Sequence, residues 1–354
     1  MKKLLSIVGA RPQFIKLAAM HRAISENKQL LHIIVHSGQH YDHGLSGQFF
    51  TELDIPVPNY NIGIGSGHHN IQMAKCIIGV DEILEKENPD IVIVYGDTNT
   101  TSAAAIATAK RCIPLAHVEA GLREWDKSIP EEVNKLITDA LADLYFTPTK
   151  TGKLNLANEG KTDNVFITGD ISLDLLYQPK FTKILDFLKL QPNEYIFVTC
   201  HRAANTDNKK NLEEIVNAIN ELKEESIFAI HPRTCAAMQK FDLKVENPNV
   251  TMKADLGFWD AQTLIKNARF VLTDSGGVIK EAYFHKVPAV ILDTQTEWVE
   301  TVEEGWNTVV GPNADMILRI ISEWKRPMKH TNCLGDGNAG EKMVREILKF
   351  LNTK

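Results

Sequence analysis

Apolar residues recur along this chain in two patterns. Short runs rich in β-branched residues alternate with longer stretches in which apolar positions return at helical spacing. The runs Leu4–Val8, Leu31–His36, Ile91–Tyr95, Leu115–Val118, Leu144–Thr147 and Val165–Thr168 predict strands. Pro12–Ser25, Met73–Glu87, Thr101–Arg111 and Pro130–Ala142 predict the helices between several of them. Strands that alternate with helices imply a parallel sheet covered on both faces. A mixed polar stretch between Pro179 and Pro192 reads as a linker, after which the pattern restarts. Tyr195–Thr199, Ile227–Ile230, Val250–Lys253, Phe270–Thr273, Ala289–Leu292 and Thr308–Val310 predict a second set of strands. The expected architecture is α/β in two domains, residues 1–175 and 176–339, with a terminal helix at 340–354 packing back on the first. No sequence repeat relates the halves.

Composition narrows the class. The chain has 354 residues, of which 44% are apolar and 24% charged, a globular balance too long for one ordinary core. A net charge of −6 argues against a nucleic-acid or membrane-surface role and leaves room for one small anion. Cys76, Cys112, Cys200, Cys235 and Cys333 form no Cys-x-x-Cys pair and read as reduced thiols. The first apolar run ends in Gly9-Ala10-Arg11-Pro12, which reads as a strand and its turn and not as a leader peptide. A cytoplasmic location, with no membrane and no nucleic-acid partner, is the expectation.

In open parallel sheets, ligands bind beyond the carboxyl ends of the strands. The polar residues that follow each apolar run are therefore the candidates. After the first run come Arg11 and Lys16, which add positive charge at a helix start. Asp97 follows Tyr95 and reads either as a helix cap or as a site carboxylate. Glu119 follows Val118, either paired, with Arg123 as the nearest cation, or held for proton chemistry. Glu131 opens a further helix, where acidic residues also suit the dipole. Asp97, Glu119 and Glu131 share one sheet edge, which makes them a set for general acid–base work. In the second half, His201-Arg202 and His231-Pro232-Arg233 each put a histidine and an arginine at a strand end. The segment Thr273-Asp274-Ser275-Gly276-Gly277 reads as strand, glycine turn and helix start, whose free amides and dipole suit a phosphate. Glu281 lies one turn further in, where a carboxylate can accept from ribose hydroxyls. No metal-ligand spacing is present, and no Gly-x-Gly-x-x-Gly follows the first strand, so neither a metal nor a dinucleotide cofactor is expected.

These residues, in this order, give the chain its likeness. Gly9-Ala10-Arg11-Pro12-Gln13-Phe14-Ile15-Lys16, Ser37-Gly38-Gln39-His40, Tyr95-Gly96-Asp97-Thr98, His117-Val118-Glu119-Ala120-Gly121-Leu122-Arg123, Pro130-Glu131-Glu132, His201-Arg202, His231-Pro232-Arg233-Thr234, Thr273-Asp274-Ser275-Gly276-Gly277, Thr296-Glu297-Trp298-Val299-Glu300 and Gly335-Asp336-Gly337 span nearly its whole length. Together they resemble the non-hydrolysing UDP-N-acetylglucosamine 2-epimerases. The Ala-Arg-Pro-Gln start and the Thr-Glu-Trp-Val-Glu segment look most like the subgroup acting on UDP-2,3-diacetamido-2,3-dideoxyglucuronate, a surface-polysaccharide precursor. The resemblance implies two Rossmann-like domains facing a cleft, as in GT-B glycosyltransferases, and C2 inversion of a UDP-2-acetamido sugar through elimination and re-addition of UDP, without cofactor. By matched position it assigns proton transfer to Asp97, Glu119 and Glu131, with His201 at the diphosphate or as a further proton carrier. It assigns UDP to Arg11, His201, Ser275, Gly276 and Glu281, and puts Lys16 near the sugar or phosphate end. It also implies a second UDP-sugar acting as activator at Gln39, His40, Arg202 and His231, and a homodimer. Where relatives carry Glu, Arg, Gln and Arg, this chain has Ala204, Asp293, Ile279 and Lys135. A glycosyltransferase of the same architecture, a hydrolysing relative and a nucleotide-sugar sensor are the competing readings.

Overall fold

The computed structural model describes residues 1–38, 50–65 and 67–353. Gln39 and His40 lie outside the described residues. Two compact units emerge, one of residues Met1–Gln178 with Leu334–Lys354, the other of residues Pro179–Cys333.

In the first unit the strands are β1 (Lys2–Val8), β2 (Leu30–His36), β3 (Tyr60–Asn61), β4 (Ile91–Tyr95), β5 (Leu115–Val118), β6 (Leu144–Thr147) and β7 (Val165–Ile167). All pair in parallel, in the order β3-β2-β1-β4-β5-β6-β7. β4 and β5 are buried along their whole length, as continuous apolar runs covered on both faces must be. Leu5, Ile7, Val92 and Val94 pack against Val80 and Leu84 of the helix His69–Glu87. Ala103, Ala104, Ala105 and Ala107 bring the helix Asn99–Lys110 close to this sheet, because alanine adds one methyl of bulk. The terminal helix Ala339–Thr353 belongs to this unit and buries Met343, Val344, Ile347 and Leu351. Its first amides, those of Ala339 and Gly340, donate to Asp174 at 3.2 and 2.8 Å. Burial pushes the Asp174 carboxyl up to about 6.

In the second unit the strands are β8 (Tyr195–Thr199), β9 (Glu225–Ala229), β10 (Val250–Lys253), β11 (Phe270–Thr273), β12 (Ala289–Ile291) and β13 (Asn307–Val309), again parallel, in the order β10-β9-β8-β11-β12-β13. Ile196, Val198, Phe228, Leu272 and Val290 pack on Leu212, Ile215 and Val216 of the helix Lys209–Glu221. The stretch between Pro179 and Pro192 is not plain linker: it contains the short helix Ile184–Leu188, whose flanks pack on this unit's core. Strand ends differ from the expectation by one or two residues, most at β9, which begins at Glu225 and ends at Ala229.

Each sheet reverses its winding direction once. The chain goes from β1 outward to β2 and β3, then crosses to β4 on the other side; β8, β9, β10 and β11 repeat this. The switch points lie between β1 and β4 and between β8 and β11. A crevice opens at such a point because the two loops diverge, so these ends are where a ligand fits.

Candidate active site

At the first switch point one buried amide joins the two strand ends. Gln13 Oε1 accepts from the backbone N–H of Gly9 and Ala10 at 2.7 and 3.0 Å. Its Nε2 donates to the Tyr95 carbonyl at 2.8 Å and to Thr101 Oγ1 at 3.0 Å. Arg11 begins the adjoining helix Arg11–Ser25; burial lowers its guanidinium pKa, opposed by Glu52. The helix after β4 is capped by Thr98, whose hydroxyl accepts from Thr101 N at 3.4 Å. The cap is therefore Thr98 and not Asp97, whose carboxylate is half-buried.

Glu119 follows β5 with φ +75°, a left-handed conformation that a residue with a Cβ enters at a cost. Several bonds hold it there. The N–H groups of Glu119 and Ala120 both donate to the Phe146 carbonyl, at 3.0 and 3.1 Å. His117 Nε2 is hydrogen-bonded to the Gly96 carbonyl at 2.8 Å, and its Nδ1 to Asp139 Oδ1 at 2.6 Å. Asp139 Oδ2 accepts from Gly121 N at 3.1 Å and from Arg123 at 2.8 Å. Burial would raise the Asp139 carboxyl, but His117 and Arg123 hold it below its ordinary value. Arg123 is bound on its other side by Glu159, at 2.7 Å. Pairing of Glu119 with Arg123 is thereby corrected: Arg123 is taken by Asp139 and Glu159, and the partner of Glu119 is Lys16, which is 6% exposed. Gly96 lies against both, since a Cβ there would stand 3.1 Å from Lys16 Nζ and 3.2 Å from Glu119 Oε2.

Glu131 is exposed in the first turn of the helix Pro130–Leu141. Its neighbour Glu132 is buried and accepts from the N–H groups of Glu124 and Trp125 at 2.9 and 3.2 Å. Lys135, also buried, places its ammonium 3.3 Å from Glu124 and 3.8 Å from both Glu132 and Asp97. It ties Asp97 to the segment that carries Glu131.

The second switch point is organised by Asp274, which is fully buried. Its carboxylate accepts from the N–H groups of His201 and Arg202, each at 2.9 Å, and from Asn205 Nδ2 at 3.0 Å. The rings of His201 and His231 lie 5.5 Å apart. Ser275 caps the helix Gly276–Phe284 by accepting from Val278 N. A Cβ on Gly276 would stand 3.4 Å from Trp298 Nε1 and 3.7 Å from Arg202 Nη2, so the guanidinium overlooks the turn. Glu281 lies half-buried on the second turn of that helix. Arg202 is bound by Asp293 at 2.9 Å. His231 caps the helix Pro232–Phe241, its Nδ1 accepting from Arg233 N at 3.1 Å. Arg233 turns to Asp207, at 2.8 Å between exposed side chains, and not to His201 or Ser275. The structure thus gathers Arg11, Lys16, Asp97 and Glu119 at one switch point, and His201, Arg202, Ser275 and Gly276 at the other, with Gly277 exposed beside them. Sequence reasoning missed Gln13, His117, Asp139 and Asp274. A histidine inside the apolar run Leu115–Val118 was the one signal for the His117 network.

Among the described residues no group of His, Cys, Asp and Glu is arranged to hold a metal ion, and no helix is long and apolar enough to cross a membrane.

A family profile described as UDP-N-acetylglucosamine 2-epimerase matches residues 22–348. The chain is 47% identical to a UDP-N-acetylglucosamine 2-epimerase homolog of Methanococcus maripaludis, over 99% of this chain and 100% of that one. It is 40% identical to the UDP-2,3-diacetamido-2,3-dideoxy-D-glucuronate 2-epimerase of Pseudomonas aeruginosa, over 98% and 100%. Among solved structures, the Methanocaldococcus jannaschii UDP-GlcNAc 2-epimerase in complex with UDP-GlcNAc and UDP superposes with a TM-score of 0.91 at 39% identity, covering 98% of this chain and 99% of that one.

Proposed function

The chain belongs to the UDP-N-acetylglucosamine 2-epimerase family, and from that premise we propose that it inverts C2 of a UDP-2-acetamido sugar without hydrolysing it. In this reading a carboxylate removes the C2 proton while the C1–O bond to the diphosphate breaks, releasing UDP and leaving a 2-acetamidoglucal. A proton then returns to C2 on the opposite face and UDP adds back at C1. Asp97, Glu119 and Glu131 carry the proton transfers. Lys16 neutralises Glu119 and stands where a sugar or phosphate oxygen would arrive. The amides of Ser275, Gly276 and Gly277 take the diphosphate with His201, Glu281 takes the ribose, and Arg11 is a further residue for the UDP part.

The observation that carries this reading is Glu119, held in a left-handed conformation against a buried lysine at a topological switch point. Strain of this kind persists where surroundings over-determine it, and it clusters at sites where a side chain must be aimed. The reading includes a cytoplasmic homodimer that makes surface-polysaccharide precursors, and a second, activating UDP-sugar held by Arg202 and His231. Gln39 and His40, the other residues proposed for that second site, lie outside the described residues.

The test is incubation with UDP-GlcNAc in deuterated water. Deuterium is expected at C2, with free UDP at trace level. Absence of exchange with every UDP-2-acetamido sugar refutes the reading. The relative from Pseudomonas aeruginosa favours a second substrate, the diacetamido uronate. Running both sugars in parallel decides between them by the ratio of kcat/KM.

A further inference from the structure

The loop between Glu119 and Glu131 contains a tryptophan in an unusual state. Trp125 has φ +62° and is 67% exposed. A bulky aromatic residue rarely takes left-handed backbone, and an exposed indole gains nothing from burial. Both unfavourable choices fall on one residue. The other tryptophans are at least partly buried: Trp298 and Trp306 are 1% and 2% exposed, Trp259 is 7%, and Trp324 packs on the core.

The conformation is enforced from below. The buried carboxylate of Glu132 accepts from both Glu124 N and Trp125 N. Lys135 neutralises Glu132 and Glu124 together. On the far side Asp126 closes a turn, accepting from Ser128 N on its side chain at 2.9 Å and from Ile129 N on its carbonyl at 3.1 Å. The loop is thus fixed at both ends of Trp125 while its ring stays uncovered. Glu131, the residue before the clamp, stands in the first turn of the helix, and Lys135 also faces Asp97. The indole therefore rides on the segment that joins the three proposed acid–base carboxylates.

We propose that Trp125 is a specificity residue that covers the sugar ring of the bound UDP-sugar. The inference rests on the epimerase reading above. A pyranose presents an apolar C–H face, and a rigid indole offers a large apolar surface at little entropic cost. The contact is to the C–H face of the sugar, which UDP alone lacks.

Trp125→Gly tests it. Glycine takes positive φ freely, so the variant relieves the strained backbone, keeps the Glu132 clamp and removes only the ring. UDP is expected to bind the variant as it binds the wild type, while UDP-GlcNAc binds on the order of tenfold more weakly, the scale of one aromatic contact. In the wild type, UDP-GlcNAc but not UDP should shield Trp125 from acrylamide, read as the difference in quenching between wild type and Trp125→Phe. Equal UDP-GlcNAc affinity in wild type and Trp125→Gly overturns the proposal alone. Shielding of Trp125 by rising protein concentration without ligand also overturns it, and assigns the ring to self-association. A wild-type protein that binds no UDP-sugar overturns the epimerase reading, and this proposal with it.

Discussion

Replacing Asp139 by asparagine should loosen the turn that aims Glu119, by an amount the geometry bounds. The carboxylate accepts three bonds: from His117 at 2.6 Å, from Arg123 at 2.8 Å and from Gly121 N at 3.1 Å. Removing one partner of a buried ion pair costs about 3–5 kcal/mol when the other charge is stranded. Here the Arg123 cation is not stranded, because it keeps Glu159, and the new amide can still pair with His117 Nδ1 while Nε2 stays on the Gly96 carbonyl. The oxygen of that amide can go on serving Gly121 N. What is lost is close to one charge-assisted bond, about 1.5–3 kcal/mol. Asp139→Ala has no such rescue, leaves Gly121 N unsatisfied in a buried void, and should reach about 3–5 kcal/mol.

The assay is amide hydrogen exchange of β5 and the helix Pro130–Leu141, which reports local opening without assuming two-state unfolding of a two-unit chain. The pH dependence has a definite sign. The folded-state pKa of Asp139 is depressed, so its contribution is present above the unfolded carboxyl value and is lost as pH falls through the folded one. The gap between wild type and Asp139→Asn should therefore close on acidification. Equal costs for the asparagine and alanine variants, or a gap that widens in acid, would refute the reasoning.

Three further outcomes are expected. Asp97→Asn, Glu119→Gln and Glu131→Gln should each slow C2 exchange on the order of a hundredfold or more. They should differ in stability, since exposed Glu131 costs within about 0.5 kcal/mol whereas losing the Glu119 charge strands Lys16; chemical denaturation separates them. Gly276→Ala should fold normally, because its methyl meets nothing nearer than 3.4 Å, yet weaken UDP about tenfold by calorimetry; Gly121→Ala, at φ +82° and overlapping the Gly152 carbonyl, should cost about 3 kcal/mol or more. In a double-mutant cycle, Asp293→Arg should lose the Arg202 partner and Ala204→Glu should restore it in part, with a coupling of about 0.5–1 kcal/mol and a shifted preference between the two sugars; strict additivity would show that the two positions are independent.

The strands were legible because parallel sheets buried on both faces need near-continuous apolar runs, and β4, β8 and β11 are such runs. Strand order was not legible, since every crossover of this kind has the same local pattern whichever side it takes. The candidate residues Asp97, Glu119, His201 and Ser275 could be placed at strand ends because the rule of carboxyl ends converts a strand prediction into a position. Their partners could not. Lys16 and Glu119 are separated by 103 residues, His201 and Asp274 by 73. Proximity in sequence suggested Arg123 for Glu119, but the left-handed turn at Glu119 sends the two side chains to different partners. Asp293 shows the same limit. Read alone, it reverses a charge; in the structure it supplies the carboxylate that holds Arg202.

The two units use one physical device although no sequence repeat relates them. In each, a buried aspartate accepts backbone N–H groups from the loop that follows a strand: Asp139 takes Gly121 N after β5, and Asp274 takes His201 N and Arg202 N after β8. A loop held through its main chain is fixed without committing its side chains, which can then turn toward a ligand; side-chain clamps would prevent that. This matters for proton transfer at carbon, where a misplacement of about 1 Å costs on the order of a hundredfold in rate. Both aspartates are fully buried, so water cannot compete for their oxygens and the loops cannot relax by solvation. Stiffness of the candidate site is thus set by residues buried beneath it. Substitutions at Asp139 or Asp274 should consequently resemble substitutions at Glu119 or His201 in rate, while differing from them in stability.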